Sequence, residues 1–132
     1  MAVGSRREAR ERALSLLYEA EAKGMAPAAL LEELPVVPPT FVVDLVEGVG
    51  RDQDLLDELI GRYAVDWAVD RMPVIDRTVL RLAVYELRSR PDVPVAAVIS
   101  EAVDLAKRYS TEESGRFVNG LLSSVAAEVR PE

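Results

Sequence analysis

The sequence predicts an all-α fold of about seven helices. In every long segment, apolar residues recur three or four positions apart, as they do along one face of a helix. No stretch shows the alternation of apolar and polar residues that is typical of a half-buried strand. Hydrophobic residues make up 49% of the 132 residues but aromatic residues only 5%, so Ala, Val, Leu and Ile must build most of the core. Helices of this composition, joined by short loops, are expected to pack into a bundle.

The first helix is predicted to run from Ser5 to about Lys23. Ser5 is a candidate N-cap, and Glu8 stands three residues later, as a capping box requires. Gly24 is a candidate helix stop because glycine readily adopts the left-handed conformation that ends many helices. The predicted buried face consists of Ala9, Ala13, Leu16, Leu17 and Ala20.

The middle of the chain is predicted to contain a short helix and one or two longer ones. The short helix covers residues 27–34 and is followed by a proline-rich loop. Thr40 is a candidate N-cap for the next helical segment. Residues 41–64 then form either two helices or one helix that is broken near Gly48 and Gly50.

The second half of the chain is predicted to contain three helices. They cover about residues 73–87, 95–109 and 114–129, and a turn with two prolines separates the first two. Ser110 and Glu113 are a candidate capping box for the last helix. The inward-facing residues are predicted to be Ile75, Val79, Leu82 and Ala83 in the first of these helices, and Val98, Ala102 and Leu105 in the second.

The composition argues against an enzyme. The chain has neither Cys nor His, which removes disulfides, thiol nucleophiles, most zinc and copper sites and the usual general base. The glycines at 48–50 are too few for a dinucleotide-binding loop, and no strand precedes them. Ser123 and Ser124 have no base to activate them, and the acid pairs at 32–33 and 112–113 fall on surface-like positions. We therefore predict no catalytic residue, no cofactor and no metal.

The sequence also predicts a soluble cytoplasmic protein without a membrane partner. No apolar run approaches the roughly 20 residues that a membrane-spanning helix needs. The basic N-terminus is not followed by the apolar segment and cleavage site of a signal peptide.

The charge of the chain is unevenly distributed. The net charge is −7, yet the first 12 residues hold only two acidic residues and four arginines: Arg6, Arg7, Arg10 and Arg12. Arginines in a first helical turn oppose the helix dipole, which suggests that they serve an anion. A basic cluster followed by an exposed aromatic, Tyr18, is typical of a nucleic-acid surface. Solvated charges with internal pairs, such as Arg7 with Glu11, are the alternative.

A second basic segment lies at residues 106–120. There Lys107, Arg108 and Arg116 bracket the aromatic residues Tyr109 and Phe117. Basic residues interleaved with aromatics can offer phosphate contacts and stacking platforms for unpaired bases. The alternative is that Phe117 belongs to the core and that the arginine beside it is an ordinary surface residue.

A third charged group belongs to the predicted helix over residues 73–87. Asp76, Arg77 and Arg81 are expected on its solvent-facing side, because the inward positions are taken by apolar residues. The two arginines are candidate nucleic-acid contacts on charge alone.

Three segments together resemble the transcription antitermination factor NusB family: SRREARERALSLLYEAE, PVIDRTVLRLAVYEL and VPVAAVISEAVDLAKRYSTEESGRFVNGLLSSV. The resemblance spans nearly the whole chain, although residues 25–45 match poorly. It implies a single domain over residues 1–132 with two small helical bundles, at about 1–66 and 67–132, and no enzymatic activity. It also implies binding to boxA RNA with the ribosomal protein NusE, within an RNA polymerase antitermination complex.

The resemblance also assigns roles to individual residues. Arg6, Arg7 and Arg10 match an arginine-rich start that contacts RNA, whereas Glu8 stands where relatives often have a basic residue. Tyr18 matches an aromatic implicated in antitermination, and Asp76 matches an acidic position that faces NusE. Tyr109, Glu113 and Phe117 match positions near the shared RNA and NusE surface. Including the residues chosen on charge alone, the predicted RNA contacts are Arg6, Arg7, Arg10, Arg77, Arg81, Lys107, Arg116 and Phe117, and the predicted partner contacts are Tyr18, Asp76, Tyr109 and Glu113.

Two other functions compete with this interpretation of the sequence. A NusB-like domain can precede a ribosomal RNA cytosine methyltransferase, but the chain ends at Glu132 and leaves no room for a methyl-donor domain, so we do not expect this function. The second alternative is a helical protein-interaction module, or a homodimer that masks its RNA surface and binds RNA weakly on its own.

Overall fold

The computed structural model describes residues 5–65 and 67–131, except for the side chain of Ser5. In these residues it has six α-helices, one short 3₁₀ helix and no strand, which confirms the predicted all-α fold. No helix in the described ranges is both long and apolar enough to cross a membrane. The α-helices are α1 (Ser5–Lys23), α2 (Pro27–Glu33), α3 (Thr40–Tyr63), α4 (Val74–Ser89), α5 (Val95–Tyr109) and α6 (Glu112–Val129), and the 3₁₀ helix covers Val69–Arg71.

Helix α4 lies at the centre of the fold and packs against α1, α3, α5 and α6. From Thr78 to Leu87 every residue except Arg81 is buried, as expected for a helix that is covered on all sides. The buried hydrophobic side chains form one cluster. The predicted inward-facing residues of α1, α4 and α5 are confirmed as buried, except for Ile75, which is half-buried. The division into two sub-bundles stays a prediction, and its boundary residue, Asp66, lies outside the described residues.

Helix α3 is continuous, so the glycines at positions 48 and 50 do not break it. Both serve close packing instead. The ring of Tyr85 lies against Gly48, where a Cβ atom would overlap the ring, and a Cβ atom on Gly50 would lie 3.0 Å from Cγ of Pro27. The absence of a side chain therefore lets α4 and α2 approach α3.

The N-terminus of α6 is capped by a different residue from the one predicted. Ser110 ends α5, and the N-cap of α6 is Thr111, whose hydroxyl accepts a hydrogen bond of 3.0 Å from the Ser114 amide. The predicted box of Ser110 and Glu113 is therefore wrong. Adjacent hydroxyl residues can both cap a helix, and the backbone conformation of Thr111 selects it here.

The other predicted helix ends were partly correct. Gly24 has a φ of +65°, in the left-handed region, which confirms it as the stop of α1. Thr40 is the first residue of α3 rather than its cap, because Pro39 takes the cap position and offers no side-chain hydrogen bond. The capping box of Ser5 and Glu8 stays a prediction, since the Ser5 side chain lies outside the described residues.

The C-terminal end of α4 is closed by Arg130, which follows α6. The Arg130 guanidinium donates hydrogen bonds to four backbone carbonyls at 2.6–3.0 Å. Three of these carbonyls belong to the last turn of α4 and its cap, where a helix runs out of intrahelical donors. Of these, the Glu86 carbonyl also accepts a hydrogen bond of 2.9 Å from the Arg90 amide. One side chain thus joins the end of α6 to the end of α4. The four acceptors are the carbonyls of Glu86, Leu87, Arg90 and Val93.

We expect Arg130→Ala to lower the free energy of unfolding by about 2–3 kcal/mol, because hydrogen bonds from a charged donor are lost and partly buried carbonyls lose their partner. Arg130→Lys should recover only part of this loss, since an ammonium cannot reproduce the planar fork of donors. Urea denaturation followed by circular dichroism measures both. Equal midpoints for the alanine variant and the unaltered protein would contradict this role.

Candidate nucleic-acid interface

Arg6 and Arg7 lie half exposed at the N-terminal end of α1, and each forms an ion pair with a distant segment. Arg6 Nη2 donates to Asp92 Oδ2 at 3.0 Å, in the loop between α4 and α5. Arg7 Nε donates to Glu101 Oε1 at 3.0 Å, and its Nη2 lies 3.6 Å from Asp104 Oδ2. The hydrogen bond to Glu101 raises the pKa of Arg7. The two side chains remain 44% and 53% exposed, so a ligand can still reach them.

Arg10 is buried and does not lie on an open surface. Its Nε and Nη2 atoms donate to the two carboxylate oxygens of Glu86, both at 2.8 Å, and the residues are 6% and 1% exposed. Leu14, four residues further along α1, is buried as well. A phosphate could meet the Arg10 guanidinium only if this ion pair opened. The predicted RNA contact from Arg10 therefore does not fit this geometry.

Arg77 and Arg81 were expected to face solvent, and this expectation is wrong. Helices α1 and α3 pack over this side of α4, which leaves the arginine side chains only 14% and 11% exposed. Arg77 pairs with Glu21 and donates to the Met72 carbonyl at 2.9 Å. Arg81 forms a two-point contact with Asp57 at 2.7 and 2.9 Å. Both arginines link helices, and neither offers a free basic surface.

Two exposed tyrosines, Tyr18 on α1 and Tyr109 at the end of α5, line one groove. The exposure of Tyr18 agrees with its predicted position off the apolar face. The carboxylate of Glu11 accepts hydrogen bonds from the Tyr109 hydroxyl and from Arg108, and the tyrosine bond in particular lowers the pKa of Glu11. These contacts fix Tyr109 against α1. The groove has a volume of about 460 Å³ and is lined by Glu11, Leu14, Ser15, Tyr18, Ile75 and Tyr109.

Asp76 is buried, although the sequence pattern placed it outside. It is the third residue of α4, where the helix dipole stabilises a negative charge. Its Oδ2 atom accepts a hydrogen bond of 2.7 Å from the Ser114 hydroxyl, and its Oδ1 atom has no hydrogen-bond partner among the described residues. Asp76 thus connects the start of α4 to the start of α6 and cannot touch a partner in this conformation. Glu113, in the first turn of α6, is exposed.

The predicted basic and aromatic surface around Phe117 is only partly open. Lys107 and Arg116 are exposed, and the Lys107 ammonium lies 3.8 Å from a carboxylate oxygen of Glu112. Phe117 is half-buried, packs against the core and meets Trp67 edge to face, with ring centroids 5.2 Å apart. This packing favours the alternative that Phe117 supports the fold, while the two cations beside it remain accessible.

Comparison with known proteins decides the family. Residues 7–127 match the NusB family. The chain belongs to the NusB family. It is 43% identical over 128 residues to the transcription antitermination protein NusB of Kineococcus radiotolerans, and the match covers 94% of both chains. The solved structure of T. maritima NusB superposes with a TM-score of 0.86 at 36% identity and covers 96% of this chain and 93% of that one. A chain in the crystal structure of antitermination factors NusB and NusE in complex with dsRNA has a TM-score of 0.82 at 29% identity, with coverage of 96% and 99%.

Sequence reasoning missed the cluster around Phe41 in this NusB-family chain, in which Phe41, Arg90 and Asp92 join the predicted contact Arg6. The guanidinium carbons of Arg90 and Arg6 lie 4.8 and 5.0 Å from the centroid of its ring. Both arginines also donate to Asp92, which holds the pKa of Asp92 far below its usual range. Arg12 is exposed and lines a groove of about 560 Å³ next to Phe41. A lone Phe after a proline-rich loop gives no sequence signal for cation–π contacts with residues from two other segments.

Proposed function

We propose that this chain is a transcription antitermination factor that binds boxA-type single-stranded RNA together with NusE. In this proposal it acts in the cytoplasm within the RNA polymerase antitermination complex. The support comes from its membership of the NusB family, from relatives that are named transcription antitermination proteins, and from its likeness to a chain solved in complex with NusE and dsRNA. The absence of His and Cys from the sequence favours binding rather than catalysis.

The observation that supports RNA binding most directly is the position of Arg6 and Arg7. In a chain of net charge −7, they place two half-exposed guanidinium groups at the N-terminal end of α1. Attraction to phosphate is blind to sequence, so an acidic body limits indiscriminate binding while the arginines supply a local site. Sequence choice must come from stacking and from contacts to the edges of unpaired bases. The groove between Tyr18 and Tyr109 offers a neighbouring surface for the partner protein.

The proposal is tested by fluorescence anisotropy with a labelled boxA-type RNA and a scrambled RNA of equal length. The RNA is titrated with this protein, with NusE and with the equimolar pair. We expect the pair to bind boxA RNA more tightly than either protein alone. An affinity of the pair no greater than that of the individual proteins would contradict the proposal.

The contribution of the N-terminal arginines should appear in the salt dependence of binding. Each phosphate neutralised on a single strand contributes about −0.7 to the slope of log affinity against log salt. Arg6→Ala with Arg7→Ala should therefore flatten the slope by at most about 1.4 and weaken boxA and scrambled RNA about equally. Arg71→Ala with Arg88→Ala, which removes the same charge from two other exposed positions, is the control and should leave the slope nearly unchanged. If both double variants flatten the slope equally, RNA does not contact the end of α1.

A second candidate function is a helical interaction module or homodimer that binds RNA weakly on its own. It is favoured by the ion pairs of Arg6, Arg7 and Arg10 with carboxylates of other segments. These pairs hold α1 in place, so they explain the basic cluster without RNA. Size-exclusion chromatography with light scattering, with and without boxA RNA, distinguishes the two. A stable dimer that RNA neither binds nor dissociates would favour this second function.

A further inference from the structure

The exposed Arg7 side chain on α1 contacts two carboxylates at once, those of Glu101 and Asp104. Glu101 and Asp104 lie three residues apart on α5, so both project from one face of that helix towards α1. Arg7 is the ion-pair partner of Glu101 among the described residues, whereas Asp104 also pairs with Arg108. Glu101 is the less exposed acid, at 21% of its side chain.

We propose that Glu101, supported by Asp104, sets the RNA affinity of this chain by occupying the Arg7 guanidinium that a phosphate group would otherwise take. The inference rests on the proposed function and assigns a competing, affinity-lowering role to two acidic residues of α5. The ligand is defined by its chemistry: a phosphate group of single-stranded RNA competes with a carboxylate for the same planar donors.

The geometry makes the Arg7 pair displaceable. A surface ion pair contributes little free energy, and the Arg7 guanidinium stays 53% exposed within this one although Glu101 is only 21% exposed. A phosphate can therefore replace Glu101 at a small cost. The pair of Arg10 and Glu86 differs in both respects, since it is buried and makes two hydrogen bonds of 2.8 Å. Neighbouring arginines of one helix thus have separate tasks: Arg10 fixes α1, and Arg7 exchanges partners.

Exchange of partners also alters the salt dependence. When an RNA phosphate binds Arg7, the cation that was condensed on that phosphate is released into solution. The Glu101 carboxylate, which has lost Arg7, then attracts a cation from solution. The two effects oppose each other, so the unaltered protein should show a flatter salt dependence than a protein without the Glu101 charge. The difference should stay below about 0.7 in slope, the full contribution of one phosphate contact.

The test measures boxA-type RNA binding by anisotropy, in the presence of NusE, for Glu101→Gln alone and combined with Arg7→Ala. Glu101→Gln should tighten binding by about two- to fivefold, the range that the strength of an exposed ion pair allows. In the Arg7→Ala background the same change should give no more than the general gain that loss of one negative charge produces. Asp104→Asn, which removes the longer contact to Arg7, should give a smaller gain and serves as the second variant.

Glu8→Gln is the matched control because it removes one negative charge from the residue next to Arg7. Glu8 is exposed and pairs with none of Arg6, Arg7 and Arg10. Its replacement should strengthen the general attraction to RNA equally with and without Arg7. Only the gain from Glu101→Gln should require the Arg7 side chain.

The possible outcomes separate this inference from the proposed function. A gain from Glu101→Gln that falls to the level of the Glu8→Gln control without Arg7 supports competition for the guanidinium. Unchanged affinity, or a gain that persists at its full size without Arg7, overturns the inference while RNA binding itself stands. Absence of RNA binding by the unaltered protein with NusE overturns the proposed function and the inference together.

Discussion

Replacing Arg10 by Ala is expected to lower the free energy of unfolding by about 3–5 kcal/mol, because it leaves the buried carboxylate of Glu86 without a counter-charge. Glu86 is 1% exposed, and both of its oxygens accept hydrogen bonds from Arg10. The desolvation of a buried ion is unfavourable, and without a partner no interaction offsets it. Urea denaturation followed by circular dichroism measures the loss.

Two further variants separate burial of the ion pair from loss of positive charge. Arg7→Ala removes an equal charge one helical turn away from an exposed pair and should cost less than about 1 kcal/mol. Arg10→Met combined with Glu86→Leu removes both buried charges and should recover most of the stability that Arg10→Ala loses. If Arg10→Ala were as stable as Arg7→Ala, the proposed anchoring of α1 to α4 would be wrong.

The same ion pair affects how RNA-binding data on Arg10 variants should be interpreted. Arg10 joins α1 to α4, and Arg6 and Arg7 are displayed by the turn of α1 that precedes it. Loss of RNA binding in an Arg10 variant would therefore report displacement of α1 as much as a lost phosphate contact. A thermal melt of each variant must accompany the binding measurement.

The helices could be predicted from sequence because their cause is local and repeated. In α1 and α5, spacings of three and four identified residues that the structure buries, such as Ala13 and Ala102. The positions of glycines predicted the helix ends less well, because glycine can either end a helix or allow close packing inside one. Gly24 ends α1, whereas Gly48 lies inside α3 under the ring of Tyr85. The sequence alone does not show which glycine meets a neighbouring ring.

The candidate site could be predicted less completely, because burial of a charge depends on partners far along the chain. Tyr18 was placed correctly off the apolar face, since the phase of α1 decides its exposure. Arg10 and Arg81 were misplaced because their carboxylate partners, Glu86 and Asp57, come from other helices. The N-terminal arginines were expected to bind an anion, and in the structure Arg6, Arg7 and Arg10 each pair with a carboxylate of the protein itself. Charge pattern alone could not distinguish these internal carboxylates from a phosphate of RNA.

The second large effect is expected for Gly48→Ala, which should destabilise the protein by about 3 kcal/mol, the upper end of the usual cost of overpacking a core. A Cβ atom at this position would overlap the ring of Tyr85 and lie 2.6 Å from its hydroxyl oxygen. The ring cannot easily move away, because Tyr85 is buried and its hydroxyl donates a hydrogen bond of 2.7 Å to Asp44 Oδ1. Either α3 and α4 separate or Tyr85 leaves its rotamer and its hydrogen bond.

Gly61→Ala in the same helix is the control for this prediction. A Cβ atom at position 61 would meet only Val69, at 3.9 Å, so the change should stabilise the protein by up to about 1 kcal/mol through helix propensity alone. For a chain of this size, the loss in Gly48→Ala corresponds to a melting temperature lower by roughly 10 °C. Adding Tyr85→Phe should not restore it, because the colliding ring carbons remain. A Gly48→Ala variant that melts at or above the temperature of Gly61→Ala would show that α4 does not press its tyrosine onto α3.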